Sequence, residues 1–369
     1  MYLKNLRLIN FKNYSNLQLE FEARIISITG RNGMGKTNLL DSIHYLSLTK
    51  SAVNLSDQQN ITHGENFFSI IGQFERKNKP EKLNCSYQQG SKKNIEVNGS
   101  KYDKLSNHIG EFPVVLISPN DTDLVRDYSE HRRKFFDVLI SQIDREYLDA
   151  LIRYNHFLKQ RNSVLKSIVD RNKLNHDLIK VYDAELVQNG KLIFDKRAYY
   201  LTNFVPNIKK AYADLASHES IEIAYKSDFE TKNPAAGLAN SLRKDIVTQR
   251  TNFGVHRDDF EFLMNGKPLK KIGSQGQQKS FVIALRLAEY MMIKETKGFN
   301  PILLLDDIFD KLDDVRILNL NLLISSKNFG QIFLTDARPE RTQLLTQNLE
   351  EELQIFEIEN GQLMTKDER

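Results

Sequence analysis

Residues 25 to 40, IISITGRNGMGKTNLL, constrain the fold more than any other stretch. The β-branched run Ile25, Ile26, Ile28 and Thr29 predicts a buried strand, which breaks at Gly30-Arg31-Asn32-Gly33-Met34-Gly35. Lys36-Thr37 then opens a helical pattern with Leu39, Leu40 and Ile43 on one face. This is G-x-x-x-x-G-K-[ST] between a strand and a helix, the context in which that spacing cradles phosphate. Glycine tolerates positive φ, so such a loop can wrap an anion with its N–H groups turned inward. The helix start adds free N–H groups and the positive end of its dipole. Lys36 would reach the β- and γ-phosphates, and the Thr37 hydroxyl would ligate Mg²⁺, so the stretch predicts a nucleoside-triphosphate site. The plainer reading is a glycine-rich turn ahead of an ordinary helix, and two correct flanks argue against it.

Length and composition limit the alternatives. A chain of 369 residues is long for one core and predicts two domains. An apolar fraction of 40% and a charged fraction of 27% are ordinary for a globular protein, and no apolar run approaches a membrane span. The first residues, MYLKNLRLINF, alternate like a strand and lack the apolar block of a signal peptide. The lone Cys85 excludes an internal disulfide framework and suits a reducing cytoplasm. Scattered histidines make structural zinc an unsuitable expectation. Net charge is only +4, yet residues 131 to 210 hold 16 Lys and Arg against 9 Asp and Glu, so the positive charge gathers in the middle third.

Before the glycine loop, Tyr2 to Phe11 and Asn16 to Phe21 read as strands. Its helix runs to about Leu48, and a polar stretch, Thr49 to Gly64, follows. Residues 67 to 102 alternate in strand fashion, with turns at Gly90-Ser91 and Asn98-Gly99, and Phe112 to Ile117 is a nearly continuous apolar strand. The expected architecture is α/β, a parallel core beside a small antiparallel sheet. From about Asp121 to Leu242 the period becomes helical, as in Phe135, Phe136, Leu139, Ile140 and Ile143. Further helices are expected at roughly 154–170, 174–202 and 204–216, and residues 229–237 look like a linker. Strict heptads do not persist, which predicts a compact helical lobe rather than a long coiled coil. Its cations, Arg132, Arg133 and Lys134 among them, are candidates for a nucleic-acid surface, although charge runs are commonly solvated faces.

Three pieces of chemistry follow residue 250. In Gly254-Val255-His256-Arg257-Asp258-Asp259, His256 could sense a phosphate, or the hexapeptide could be structural. Gly273-Ser274-Gln275-Gly276-Gln277-Gln278 runs into an apolar helix, and a Ser N-cap with an adjacent Gly makes a second anion site. Ile302 to Leu305 reads as a strand buried on both faces and ends at Asp306-Asp307, where ligands bind in open α/β sheets. Asp306 would hold Mg²⁺, and Asp307 would orient or deprotonate an attacking water. A last apolar strand, Gln331 to Leu334, ends at Thr335-Asp336.

The glycine loop, a distant S-x-G-Q, an apolar strand ending Asp-Asp and a trailing Asp-x-Leu-Asp resemble an ABC-type ATPase head of the SMC-like DNA-repair branch. More closely, MYLKNLRLINFKNY, GRNGMGKTNLLDSIHYL, the stretch SPND to LVRDYSEHRRKFFD, GVHRDDF, SQGQQKSFVIALRLAE and LLLDDIFDKLD resemble, in this order and over nearly the full length, the RecF family of bacterial recombination mediators. The resemblance implies an ATPase head (residues 1–120 and 246–369) interrupted by a helical arm lobe (121–245). It implies ATP and Mg²⁺ as cofactors and ATP-dependent binding to single-stranded, double-stranded and gapped DNA. It further implies action with RecO and RecR in loading RecA, with a role in replication restart and SOS induction. Gly30, Arg31, Asn32, Gly33, Met34, Gly35, Lys36 and Thr37 would then bind ATP, with Thr37 and Asp306 on the metal and Lys36 and Asp307 catalytic. Ser274, Gln275, Gly276 and Gln277 would reach the nucleotide of a second subunit in an ATP-dependent homodimer, with Asp310 to Asp313 as the inter-subunit loop.

Departures from related ATPases sharpen the expectation. Transporter ATPases place Glu where Asp307 stands, and the shorter acid implies slow, DNA-stimulated hydrolysis that works as a switch. No histidine follows the Gln331 to Leu334 strand, and no glutamine follows Ile117 until Gln142. The competing readings are a transporter's ATPase subunit and a nucleotide-dependent scaffold without its own DNA surface. The long basic insert and the absent histidine argue against the transporter.

Overall fold

The computed structural model describes residues 1–167, 175–216, 219–231, 233–309, 313–326, 328–336 and 353–364. In chain order, β1 (Tyr2–Phe11), β2 (Tyr14–Glu20), β3 (Ile25–Thr29) and α1 (Lys36–Leu48) precede β4 (Phe67–Arg76), β5 (Lys79–Gln88), β6 (Asn94–Val97), β7 (Ser100–Lys101) and β8 (Val114–Ile117). Next come α2 (Asp123–Arg126), α3 (Ser129–Ile143), α4 (Arg145–Ser167), α5 (His176–Leu215), β9 (Ile221–Lys226), α6 (Asp228–Thr231), α7 (Pro234–Thr248), β10 (Asp259–Met264), β11 (Lys267–Pro268) and α8 (Leu269–Ile272). The chain continues with α9 (Gln275–Lys297), β12 (Ile302–Leu305), α10 (Asp314–Ser325), β13 (Ile332–Asp336), β14 (Leu353–Glu359) and β15 (Gln362–Leu363).

Two compact units divide the chain: Met1–Asp121 with Ile283–Arg369, and Thr122–Val282. The first holds an antiparallel sheet in the order β2-β1-β4-β5-β6-β7 and a second sheet in the order β15-β14-β3-β13-β12-β8. In the second sheet β14, β3, β13, β12 and β8 run parallel, with β15 antiparallel at the edge. Every residue of β3, β12 and β13 is buried, as parallel strands covered on both faces require. The helix α1 packs against strands of both sheets. Its Tyr45 meets Phe68 of the antiparallel sheet edge-to-face at 5.4 Å between centroids. Leu39, Leu40, Ile43 and Leu46 join one continuous core with Ile26, Ile28, Ile302, Leu304 and Phe333. That core fixes β3 and α1, and so fixes the loop between them.

The second unit is helical, with the small antiparallel sheet β11-β10-β9. Four sequence expectations need correction here. The helices expected at 174–202 and 204–216 are one 40-residue helix, α5, with Pro206 inside it. Proline there removes one backbone hydrogen bond at a cost of about 3 kcal/mol. Leu201, Phe204, Ile208, Ala211, Tyr212 and Leu215 stay buried at helical spacing across it and offset that loss. The supposed linker at 229–237 contains the end of α6 and the start of α7: the Asn233 side chain accepts from the Ala236 N–H, and Pro234 takes the first helical turn. Strand β9 lies inside the stretch read as helical and pairs antiparallel with β10, burying Ile221 and Ile223. That pairing also moves the second boundary. Residues 246–282 pack with the helical unit, whereas the sequence reading placed 246–369 in the head. Residues 168–170 of the expected helix 154–170 lie outside the described residues. No helix among the described residues is long and apolar enough to cross a membrane.

Candidate functional site

The loop between β3 and α1 holds three glycines at positive φ: Gly30 at 143°, Gly33 at 84° and Gly35 at 110°. Their reasons differ. A Cβ on Gly30 would stand 2.3 Å from the Ile358 carbonyl oxygen, and one on Gly35 would stand 2.3 Å from Asn13 Nδ2. Gly33 has open space around it, so φ alone demands glycine there. Two hairpin turns buttress the loop. Asn13 Nδ2 donates to the Met34 carbonyl at 3.2 Å, and the Tyr14 hydroxyl donates to the Gly35 carbonyl at 2.9 Å. From the other side, the Gly361 N–H donates to the same Met34 carbonyl at 3.3 Å. Arg31, Asn32 and Gly33 are exposed at the tip. Lys36 is buried, and its ammonium donates to the carbonyls of Gly30 at 2.8 Å and Arg31 at 3.1 Å.

The helix start meets the end of β12 directly. The Thr37 hydroxyl lies 3.0 Å from both carboxylate oxygens of Asp306. Thr335, at the end of β13, donates from its hydroxyl to Asp306 Oδ1 at 2.8 Å and accepts the Asp307 N–H at 3.0 Å. Burial pushes the Asp306 carboxyl above its usual range, while the hydrogen bonds from Thr335 and Thr37 pull the other way. Asp307 sits in the left-handed region at φ 45°, an uncommon conformation for a residue with a side chain. Its carboxylate makes no hydrogen bond or ion pair to a described residue. A hydroxyl and a carboxylate at this separation are hard oxygen donors. They fit a Mg²⁺ whose remaining ligands come from phosphate and water.

The stretch expected to form a second anion site lies in the helical unit. Ser274 and Gln277 cap each other at the start of α9: the Gln277 N–H donates to Ser274 Oγ at 3.2 Å, and the Ser274 N–H donates to Gln277 Oε1 at 2.8 Å. Ser274 and Gln275 are exposed, with Gly276 and Gln277 half-buried. Of the loop expected to lie between subunits, Asp310, Lys311 and Leu312 lie outside the described residues. Asp313 caps α10 by accepting the Arg316 N–H.

The basic candidates separate cleanly. Arg132 is buried, forks onto both oxygens of Asp259 and donates to the Asp127 carbonyl, so this side chain is part of the fold and not a phosphate contact. Arg133 is half-buried and donates to Ser129 Oγ and the Asp258 carbonyl, each at 2.6 Å. Only Lys134 of the three is exposed. Nor does His256 face an anion. Its Nε2 lies 3.1 Å from the Thr251 carbonyl and must donate, so its Nδ1 accepts from the Tyr154 hydroxyl at 2.7 Å. Burial lowers its pKa to about 4, so it stays neutral. Asp258 pairs with the buried Arg197 at 2.9 Å. Within the Gly254-to-Asp259 motif, His256, Asp258 and Asp259 thus make structural contacts in the helical unit, while Arg257 is exposed. At the end of β8, Asp121 pairs with Arg286 at 2.6 Å, and Gln142 is buried within α3. Sequence reasoning missed Asn13, Tyr14, Thr335 and Gly361. Asn13-Tyr14 had a signal, a turn pair directly after a strand, but nothing in the sequence pointed it at the loop.

A buried parallel sheet, a glycine loop and a Thr–Asp pair joining the loop helix to the neighbouring strand end define a P-loop ATPase head of the ABC and SMC kind. The family profile described as the RecF/RecN/SMC N-terminal domain matches residues 2–362. The DNA replication and repair protein RecF of Cytophaga hutchinsonii is 48% identical over 364 residues, 98% of this chain and 96% of that protein. RecF of Flavobacterium johnsoniae is 42% identical, over 97% of this chain and 100% of its own. A solved structure of the recombination mediator RecF with ATP, in the RecFOR pathway, superposes with a TM-score of 0.88 at 30% identity, covering 98% of this chain and 97% of the other. An Smc head domain of Pyrococcus furiosus shares the fold, with a TM-score of 0.56 at 17% identity over 98% of this chain and 95% of that one. The chain belongs to the RecF/RecN/SMC N-terminal domain family, among its RecF members.

Proposed function

We propose that this protein is an ATP-dependent DNA-binding switch of recombinational repair and replication restart. In this reading it works in the cytoplasm with RecO and RecR to help load RecA, and contributes to SOS induction. One observation carries the nucleotide part: Thr37 Oγ1 stands 3.0 Å from both oxygens of Asp306, beside a glycine loop whose shape other residues enforce. Gly30 to Thr37 bind the triphosphate, Lys36 neutralises its β- and γ-oxygens, and Thr37 and Asp306 hold Mg²⁺. The Mg²⁺ screens phosphate charge when bound; Asp307, whose carboxylate has no hydrogen-bond or ion-pair partner among the described residues, orients the attacking water. Ser274, Gln275, Gly276 and Gln277 present an exposed helix start to the γ-phosphate held by a second copy. ATP then joins two copies, and slow, DNA-stimulated hydrolysis parts them.

The DNA surface lies on the helical unit, with Lys134 and the exposed face of α4. From Ala150 to Ser167 that helix carries no acid, and Arg153, Lys159 and Lys166 are exposed along it. None of these three makes an ion pair with a described residue. Single-stranded, double-stranded and gapped DNA share the backbone such a face would bind, without base readout.

Sedimentation with Mg²⁺, ATP and gapped DNA tests the switch. Lys36→Ala should abolish nucleotide binding and pairing together. Ser274→Arg should keep nucleotide binding and lose pairing; a Ser274→Arg protein that still pairs with ATP would overturn the shared site.

A further inference from the structure

The signature at the start of α9 is held by a residue that belongs to no recognised motif. Gln277 uses its amide twice. Its Oε1 accepts the Ser274 N–H at 2.8 Å, and its Nε2 donates to Glu219 Oε1 at 2.7 Å. A glutamine amide can present either end to a neighbour, because oxygen and NH₂ are nearly the same size. Glu219 removes that freedom. An ionised carboxylate only accepts, so it draws the NH₂ end and leaves the oxygen for Ser274. The Ser274 hydroxyl in turn accepts the Gln277 N–H at 3.2 Å, which leaves its own proton free to donate outward. Glu219 is itself fixed: the Tyr212 hydroxyl donates to Glu219 Oε2 at 3.4 Å. The next residue, Ser220, exchanges hydrogen bonds with Asn265 at the β10–β11 turn, with 3.0 Å from its N–H to the Asn265 side chain and 2.8 Å from the Asn265 N–H to its carbonyl.

We infer that Glu219 is a positioning residue for the signature: its carboxylate locks the Gln277 amide, and the lock orients the Ser274 hydroxyl toward the triphosphate of a second copy. This rests on the shared-site reading above. A flipped amide would turn its NH₂ toward the Ser274 N–H, donor against donor, and would break the reciprocal cap.

Two measurements on the full chain test it. In hydrogen exchange without nucleotide, Glu219→Ala should speed exchange at the Ser274 and Gln277 amides by about fivefold, the loss of roughly one hydrogen bond. In sedimentation with Mg²⁺ and ATP, the dissociation constant of the pair should rise about 25-fold, since a twofold dimer has two equivalent sites and the effect counts at each. Binding of a fluorescent ATP analogue to the monomer's glycine loop should not change, which separates lost positioning from lost folding. Glu219→Gln, with one accepting and one donating end, should fall between the wild type and Glu219→Ala. Wild-type exchange at Ser274 in Glu219→Ala would overturn the lock. So would faster exchange with wild-type pairing, provided Ser274→Arg abolishes pairing in parallel. If Ser274→Arg also pairs, the shared site fails instead, and the exchange rates still decide whether Glu219 holds the cap.

Discussion

Replacing Thr335 with valine tests how the metal-side carboxylate is held. The two side chains are nearly the same shape, so the fully buried position keeps its packing while two hydrogen bonds disappear. Asp306 loses a donor at 2.8 Å, and the Asp307 N–H loses its acceptor at 3.0 Å. A hydrogen bond to a charged group contributes about 1.5–3 kcal/mol, so the Mg²⁺-dependent part of ATP affinity should fall about tenfold or more. The direction of the Asp306 shift adds a pH signature. Its folded pKa already lies above the unfolded value because of burial, and losing Thr335 raises it further. A carboxyl raised in this way binds its proton more tightly in the folded state, so its contribution to stability is present at low pH and is lost as pH rises through the folded pKa. Thr335→Val should therefore be destabilised more at pH 7 than at pH 4. Its Mg²⁺ affinity should drop more at acid than at alkaline pH, where no proton competes. Thr335→Ser keeps the hydroxyl and should stay near the wild type. Thermal melts across pH and Mg²⁺ titrations of a fluorescent ATP analogue read both effects. Wild-type Mg²⁺ affinity in Thr335→Val across the pH range would refute the reasoning.

Gly35→Ala puts a Cβ 2.3 Å from Asn13 Nδ2 at a φ of 110°, and should cost about 1–3 kcal/mol in a melt while cutting ATP affinity sharply. Charge reversal of Arg153, Lys159 and Lys166 to Glu should weaken DNA binding at every sequence and flatten log K against log salt by about 2–3 units; an unchanged slope would move the DNA surface off α4. His256, held near pKa 4 by burial, binds a proton in the unfolded chain first, so stability should drain away as pH falls from about 6.5 to about 4, by about 3 kcal/mol in all. Urea unfolding of His256→Gln should show a flatter profile over that window.

Local, strongly patterned features were legible. The glycine loop declared itself because strand, loop and helix are contiguous, and Ile25–Thr29 and Lys36–Leu48 lie where the pattern put them. The Ile302–Leu305 strand was equally plain, since four apolar residues before two acids fit little else. Long-range partners were not legible. Asn13 and Gly361 reach one carbonyl of Met34 from opposite ends of the chain, and no local pattern encodes that meeting. The charge count also misled at Arg132. A cation on a helix looks solvated until Asp259, 127 residues later, turns out to receive it. The break placed near residue 203 and the linker at 229–237 misled for the opposite reason: buried contacts carry α5 straight through, and Asn233 caps α7.

The fate of buried cations shows what separates scaffold from site in this chain. Arg197 and Arg161 are both buried, and each lies against two carboxylates: Asp137 and Asp258 for the first, Asp183 and Asp245 for the second. Such pairs are neutralised, and removing one partner leaves a buried charge at a cost of about 3–5 kcal/mol; their business is with the fold. Lys36 is also buried, but among the described residues its ammonium donates to the carbonyls of Gly30 and Arg31 and forms no ion pair, although its charge acts on the Asp306 carboxyl. Carbonyl dipoles orient a cation without cancelling its charge. A buried, oriented cation at a helix start that makes no ion pair among the described residues can lower its energy by taking on an anion. Burial without an ion-pair partner is therefore the physical mark of the proposed ligand site, and it sets Lys36 apart from Arg161 and Arg197, which a charge count treats as equals.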